Sequence, residues 1–167
     1  MDFCELIRRV LHETGLAPKY LELEITESLL LSNADVMFSV FRELKAMGLR
    51  LAIDDFGTGY SSFSYLKKFP VSKLKIDRSF VRDVAVNTDD AAITNAIISM
   101  AKSLNLKVIA EGVESEPQLS FLRAHQCDEI QGYYFSKPLS VGDVAEKFRG
   151  NALHAGFLSA ELQPRLT

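Results

Sequence analysis

The chain has 167 residues, 47% of them hydrophobic and 25% charged, with a net charge of −3. That composition fits one globular domain of ordinary size and excludes a disordered chain, and the scattered Lys and Arg exclude a general binder of nucleic-acid polymers. No apolar run approaches the ~20 residues that a membrane span requires, and Met1-Asp2-Phe3-Cys4-Glu5 lacks the basic-then-apolar plan of a signal peptide. Cys4 and Cys127 stand far apart, and His12, His125 and His154 form no cluster. The expectation is a reduced, cytoplasmic compartment with two structural thiols and no His/Cys zinc site.

Taken in order, Asp2 to Glu13 predicts a helix with Phe3, Leu6, Ile7, Val10 and Leu11 on one face, stopped by Gly15. Tyr20 to Ile25 predicts a strand that ends near Glu24, with Glu27 just beyond. A helix follows to about Met47, capped by Ser32, Asn33 or Asp35. Arg50 to Asp54 is the next strand, and it runs into Asp54-Asp55-Phe56-Gly57-Thr58-Gly59-Tyr60-Ser61-Ser62. Tyr60 to Lys68 reads as a short helix closed by Pro70. Leu74 to Asp77 reads as a strand with Lys75 and Asp77 on one face. Asp89 to Leu104 reads as a long helix with Ile93, Ala96, Ile97, Met100, Ala101 and Leu104 inward. Val108 to Ala110 is a strand leading to Glu111-Gly112-Val113-Glu114, and Glu116 to Ala124 a helix with Pro117 in its first turn. Asp128 to Gln131 is a brief strand, and Ser140 to Phe148 a helix capped by Ser140. Residues 150–167 read as a tail. Strands separated by helices of this length predict a parallel α/β fold.

The polar groups gather where strands end. Glu24 and Glu27, Asp54 and Asp55, Lys75 and Asp77, Glu111 and Glu114, then Gln131 all sit at or past a C-terminal end, the edge where parallel α/β folds build active sites. Adjacent carboxylates repel unless a cation or a proton lies between them. For Asp54 and Asp55 the competing reading is a turn with helix caps. All-oxygen ligands favour Mg²⁺ or Mn²⁺, and two ions a few ångströms apart would suit phosphoryl displacement. Lys75 would then meet a phosphate oxygen or the attacking water, or else pair with Asp77 or Asp54. Glu111 would be a metal ligand or general base, and Gln131 a contact to base or ribose. Tyr133 and Tyr134 would stack on a base or belong to the core.

These stretches together resemble the EAL family of bacterial cyclic-di-GMP phosphodiesterases. The matching segments are Glu24-Ile25-Thr26-Glu27-Ser28, Asp54 to Ser62, and Leu74-Lys75-Ile76-Asp77-Arg78-Ser79-Phe80. Ala110-Glu111-Gly112-Val113-Glu114 and Gln131 to Pro138 complete the set, in the family's order. The resemblance implies a (β/α)8 TIM-type barrel that hydrolyses cyclic-di-GMP to linear pGpG with Mg²⁺ or Mn²⁺. It implies Glu24, Asp54, Asp55 and Glu111 as metal ligands, with Asp54 and Asp55 sharing the second ion. It also implies Lys75, Glu111 and Asp55 as catalytic groups and Gln131 and Glu114 in the substrate region. Glu27 would anchor the loop bearing Gly57, Thr58 and Gly59.

The Glu-Ala-Leu motif that names the family, and an Asn ligand on its next strand, are absent from this sequence. Five predicted strands are three fewer than a full barrel holds. Residues 1–149 are therefore expected to form a partial EAL domain, with an apolar inner face left uncovered. That predicts a homo-oligomer, or attachment to further N-terminal domains. Two other functions stay open at this point. One is an inactive module that binds cyclic-di-GMP or a protein; the other is a barrel lyase or aldolase using Lys75 as a Schiff base.

Overall fold

Strands β1 (Glu22–Thr26), β2 (Arg50–Phe56), β3 (Lys73–Ile76), β4 (Lys107–Ala110) and β5 (Glu129–Ile130) form one parallel sheet, and their spatial order is their order in the chain. The computed structural model describes residues 2–32, 34–59 and 66–149, with side chains described except at 30–35 and 147–149. Helices α1 (Phe3–Thr14), α2 (Glu27–Ser32), α3 (Ala34–Ala46), α4 (Arg78–Arg82), α5 (Thr88–Ser103), α6 (Glu116–Ala124) and α7 (Val141–Arg149) connect and flank the strands.

Local chemistry sets the helix ends. Asp2 caps α1 by accepting from Cys4 N, and Gly15 closes it in the left-handed region. Asn87 caps α5 by accepting from Asp89 N and Asp90 N. Ser140 Oγ accepts from Asp143 N at 3.2 Å ahead of α7.

Strand alternation sorts the sheet into two unlike faces. Leu51, Ile53, Leu74, Ile76, Val108 and Ala110 are buried on one face, in a core shared with Phe41 and Leu44 of α3, Ile97 and Ile98 of α5 and Leu122 of α6. Cys4 and Cys127 are free and buried in the same core. The opposite face carries Glu22, Glu24, Lys73, Lys75 and Glu129. Lys73 Nζ, on the central strand, lies 3.1 Å from Glu22 of β1 and 2.7 Å from Glu129 of β5. Each partner is two strands away, about 10 Å in a flat sheet, so the sheet is concave on this side. The inner face is therefore charged. The expectation of an apolar inner face fails, because the i, i+2 positions of β1 and β3 hold charges that neutralise one another.

Four other expectations change. Glu27 opens helix α2, which periodicity did not reveal, and β2 extends through Asp55 to Phe56. Asp77 is not a strand residue facing the way of Lys75. It caps α4, a second unforeseen helix. On α5 the buried face runs Thr94, Ile97, Ile98 and Ala101, while Ile93 and Ala96 are exposed beside Gly57 and Gly59. The predicted helix over 60–68 falls mostly outside the described residues, as do the caps at 32–35 and the tail 150–167.

Candidate active site

The pairing of β2 with β3 explains the adjacent aspartates. Ile53 pairs with Leu74 and Phe56 with Ile76, so Asp54 and Asp55 together stand opposite one residue, Lys75. This is a bulge, and Asp55 takes up the extra residue with φ 52°, a left-handed conformation that Asp tolerates better than most side chains. Without it, alternation would turn Phe56 to the inner face. With it, Phe56 returns to the core at 5% exposure, and two successive carboxylates are left at the strand's end.

Lys75 is the centre of the constellation. Its Nζ lies 2.7 Å from Glu24, 2.9 Å from Asp54 and 2.7 Å from Glu111, and the residue is 5% exposed. Burial acts to lower the Lys75 pKa, but the close contacts with Glu111, Glu24 and Asp54 outweigh it and hold the ammonium above its ordinary range. Burial raises the Glu111 carboxyl despite Lys75. Asp55 is raised by burial and then by the neighbouring Asp54 and Asp77 carboxylates. Burial also acts to raise Asp77, but hydrogen bonds from Ser79 win and lower it.

The loop after β2 hangs on Glu27, which is 2% exposed. Its Oε2 accepts from Gly57 N at 2.9 Å and Gly59 N at 3.2 Å. Gly57 has φ 103°, which only glycine adopts freely. Thr58 Oγ1 donates to Asp55 O at 2.9 Å, closing the turn.

Glu24, Glu27, Asp54, Asp55, Lys75 and Glu111 are thus brought to one edge, from β1 to β4. Glu114 and Gln131 are exposed and hold the edge through their backbones: Glu114 N donates to Gln118 Oε1, Gln131 N to Ala110 O, and Val113 N to Gln131 O. Tyr133 and Tyr134 are exposed and outside the core. Sequence reasoning passed over Asp77 as a neighbour of Asp55, Gln118, and the Glu22–Lys73–Glu129 layer one step below Lys75. The repeated Glu-x-Glu on β1 and Lys-x-Lys on β3 were the available signal for that layer.

Carboxylate oxygens of Asp54, Asp55 and Glu111 lie within 4.8 Å of one another. Asp54 Oδ1 is buried, and no well-directed hydrogen bond reaches it among the described residues, although Lys75 Nζ is near. Three carboxylates this close, offering only oxygen ligands, suit a hard divalent cation.

The EAL domain family matches residues 1–138. Cyclic di-GMP phosphodiesterase NbdA of Pseudomonas aeruginosa is 48% identical over 143 residues, which are 86% of this chain and 18% of that protein. The solved PaMucR phosphodiesterase, in complex with c-di-GMP, superposes with a TM-score of 0.82 at 44% identity, covering 84% of this chain and 57% of that one. Klebsiella pneumoniae BlrP1, in a manganese and cy-diGMP complex, gives a TM-score of 0.75 at 34% identity, covering 80% and 34%. The chain thus spans about a fifth of NbdA and just over half of the PaMucR chain. Its five parallel strands are part of a (β/α)8 TIM-type barrel. On these grounds, the chain belongs to the EAL domain family.

Proposed function

We propose that this chain carries the strand-end acids of a cyclic-di-GMP phosphodiesterase, with Glu24, Asp54, Asp55 and Glu111 holding Mg²⁺ or Mn²⁺. The observation that carries the reading is the buried Lys75 ammonium set among carboxylates from the ends of three other strands, with oxygens of Asp54, Asp55 and Glu111 within 4.8 Å of one another. It is supported by the solved relatives bound to c-di-GMP, one of them with manganese. Bound divalent cations would neutralise the phosphodiester and the attacking oxygen.

The protein's own groups divide the remaining work. Lys75 orients the attacking water and balances the surrounding acids. Glu111, with its raised pKa, accepts the water's proton. The water oxygen bonds to phosphorus, the bond from phosphorus to the 3′ oxygen breaks, and that oxygen takes up a proton from solvent water, giving linear pGpG. Glu27 keeps the Asp54–Gly59 loop in place, and Gln131 and Glu114 face the substrate. Residues 1–149 act as the EAL unit, with 150–167 as an appendage.

The test is turnover of cyclic-di-GMP with Mn²⁺, with products separated by chromatography. The purified chain is assayed, and so is the same chain joined to EAL strands that bear the Glu-Ala-Leu motif. Linear pGpG from either, abolished by Asp54→Ala, is expected. Turnover that survives Asp54→Ala would remove the metal assignment. A second reading is binding without hydrolysis, supported by the solved relative in complex with c-di-GMP. It predicts calorimetric binding of the dinucleotide and no product from either protein.

A further inference from the structure

Helix α4 has five residues and touches both acidic loops. On the β2 side, its Phe80 lies so close that a Cβ on Gly57 would meet Phe80 Cε2 at 2.9 Å. On the β4 side, a Cβ on Gly112 would meet Arg78 Cβ at 2.7 Å. The loop that bears Asp54 and Asp55 and the loop that follows Glu111 are seated on the same short element.

Two buried polar side chains tie that element down. Thr94, 0% exposed, donates from Oγ1 to Phe80 O at 3.4 Å. Gln118, 7% exposed, accepts at Oε1 from Glu114 N at 2.7 Å and Ser115 N at 3.0 Å, and donates from Nε2 to Arg82 O at 2.8 Å. Capping α6 needs only the oxygen of Gln118. The amide nitrogen is spent on α4, 36 residues earlier in the chain. A buried donor of this kind is costly to leave unmade, so the bond holds both ends in register.

We infer that Gln118 is a positioning residue that, through α4, sets the Asp54–Asp55 loop relative to Glu111. The inference rests on the proposed role of those acids, and its test separates the two. Gln118→Glu keeps the oxygen acceptors for Glu114 N and Ser115 N, but presents an oxygen to Arg82 O where a donor stood. Thr94→Val removes the second tie at nearly constant shape. Hydrogen exchange is followed on the full chain without metal at Gly57 N and Gly59 N, whose acceptor Glu27 is untouched. Both variants are expected to speed exchange there about fivefold or more, the worth of one net hydrogen bond, while the α6 amides keep their original rates in Gln118→Glu. Acceleration confined to residues beside Arg82 and Ser115, with Gly57 and Gly59 unchanged, would overturn the inference. If Gln118→Glu does not fold by circular dichroism, Thr94→Val carries the same comparison. Mn²⁺ titration of the unaltered chain, followed by electron paramagnetic resonance, tests the cation reading by itself. Where that binding is present, Gln118→Glu is expected to weaken it about fivefold, and an unchanged affinity would overturn the inference.

Discussion

Lys75 neutralises a group of acids that would otherwise repel one another. In Lys75→Met, Glu24, Asp54 and Glu111 lose their common cation. The metal-free chain should lose about 3 kcal/mol of stability, the order expected when one side of a buried pair is removed. Mn²⁺ should raise the melting temperature of this variant more than that of the original chain. Thermal melts in chelator and in Mn²⁺ check this, and equal shifts would argue against a shared site. The thiols behave in the opposite manner, as inert core groups. Burial pushes the Cys127 thiol up to about 12, and burial also raises Cys4, ahead of the neighbouring Glu43 and Asp2. Neither should react with a disulfide reagent at pH 8 until denaturant opens the fold.

At the scale of elements, α6 and β2 show what the sequence could and could not carry. Helix α6 was legible to its last residue, because Pro117 and its apolar positions mark both ends. Asp54 and Asp55 were legible as chemistry but not as geometry. A bulge depends on the partner strand, and Lys75 lies 20 positions away in the chain. Helices α2 and α4 were illegible because six and five residues make too few turns for a periodic signal. The face of α5 was misjudged by one position, since Ile93 and Ala96 look apolar in sequence but border a cleft. Close packing between elements was illegible too, and Gly132 is an instance. A Cβ there would come within 2.1 Å of Val113 O and 2.3 Å of Val113 N, both backbone atoms that cannot yield. Gly132→Ala should therefore cost at least about 2 kcal/mol in urea unfolding by prising β5 from the loop after β4. A change of a few tenths would mean that the loop gives way freely.

For the whole molecule, the Lys73 layer is the tie across the arc, since it reaches from β1 through β3 to β5. Burial works against the Lys73 ammonium, but bonds to Glu129 and then Glu22 prevail and raise its pKa. A raised lysine stabilises the fold below its unfolded pKa, about 10.4, and loses that contribution as pH climbs through the raised value. Lys73→Met should thus lower stability by about 2 kcal/mol at pH 7, and the gap should close only above about pH 10. A gap that closes near neutrality would assign the effect elsewhere. Among the described residues β1 and β5 each leave one strand edge unpaired.

The agreement between strand order and chain order also bears on how the molecule is made. Among the described residues, each strand pairs only with its immediate neighbours in the chain. A chain emerging from the ribosome can therefore lay down β1, fold the next helix, and add β2 to the waiting edge. It can repeat this without any earlier strand standing idle for a distant partner. Each added unit brings one or two members of the lysine and acid layers, so the charged face is assembled in the order of synthesis. Lys73 and Lys75 arrive after Glu22, Glu24 and Asp54, and before Glu111 and Glu129. The acids of β1 and β2 thus stay exposed to solvent until β3 delivers both lysines, and Glu111 and Glu129 then meet partners already in place.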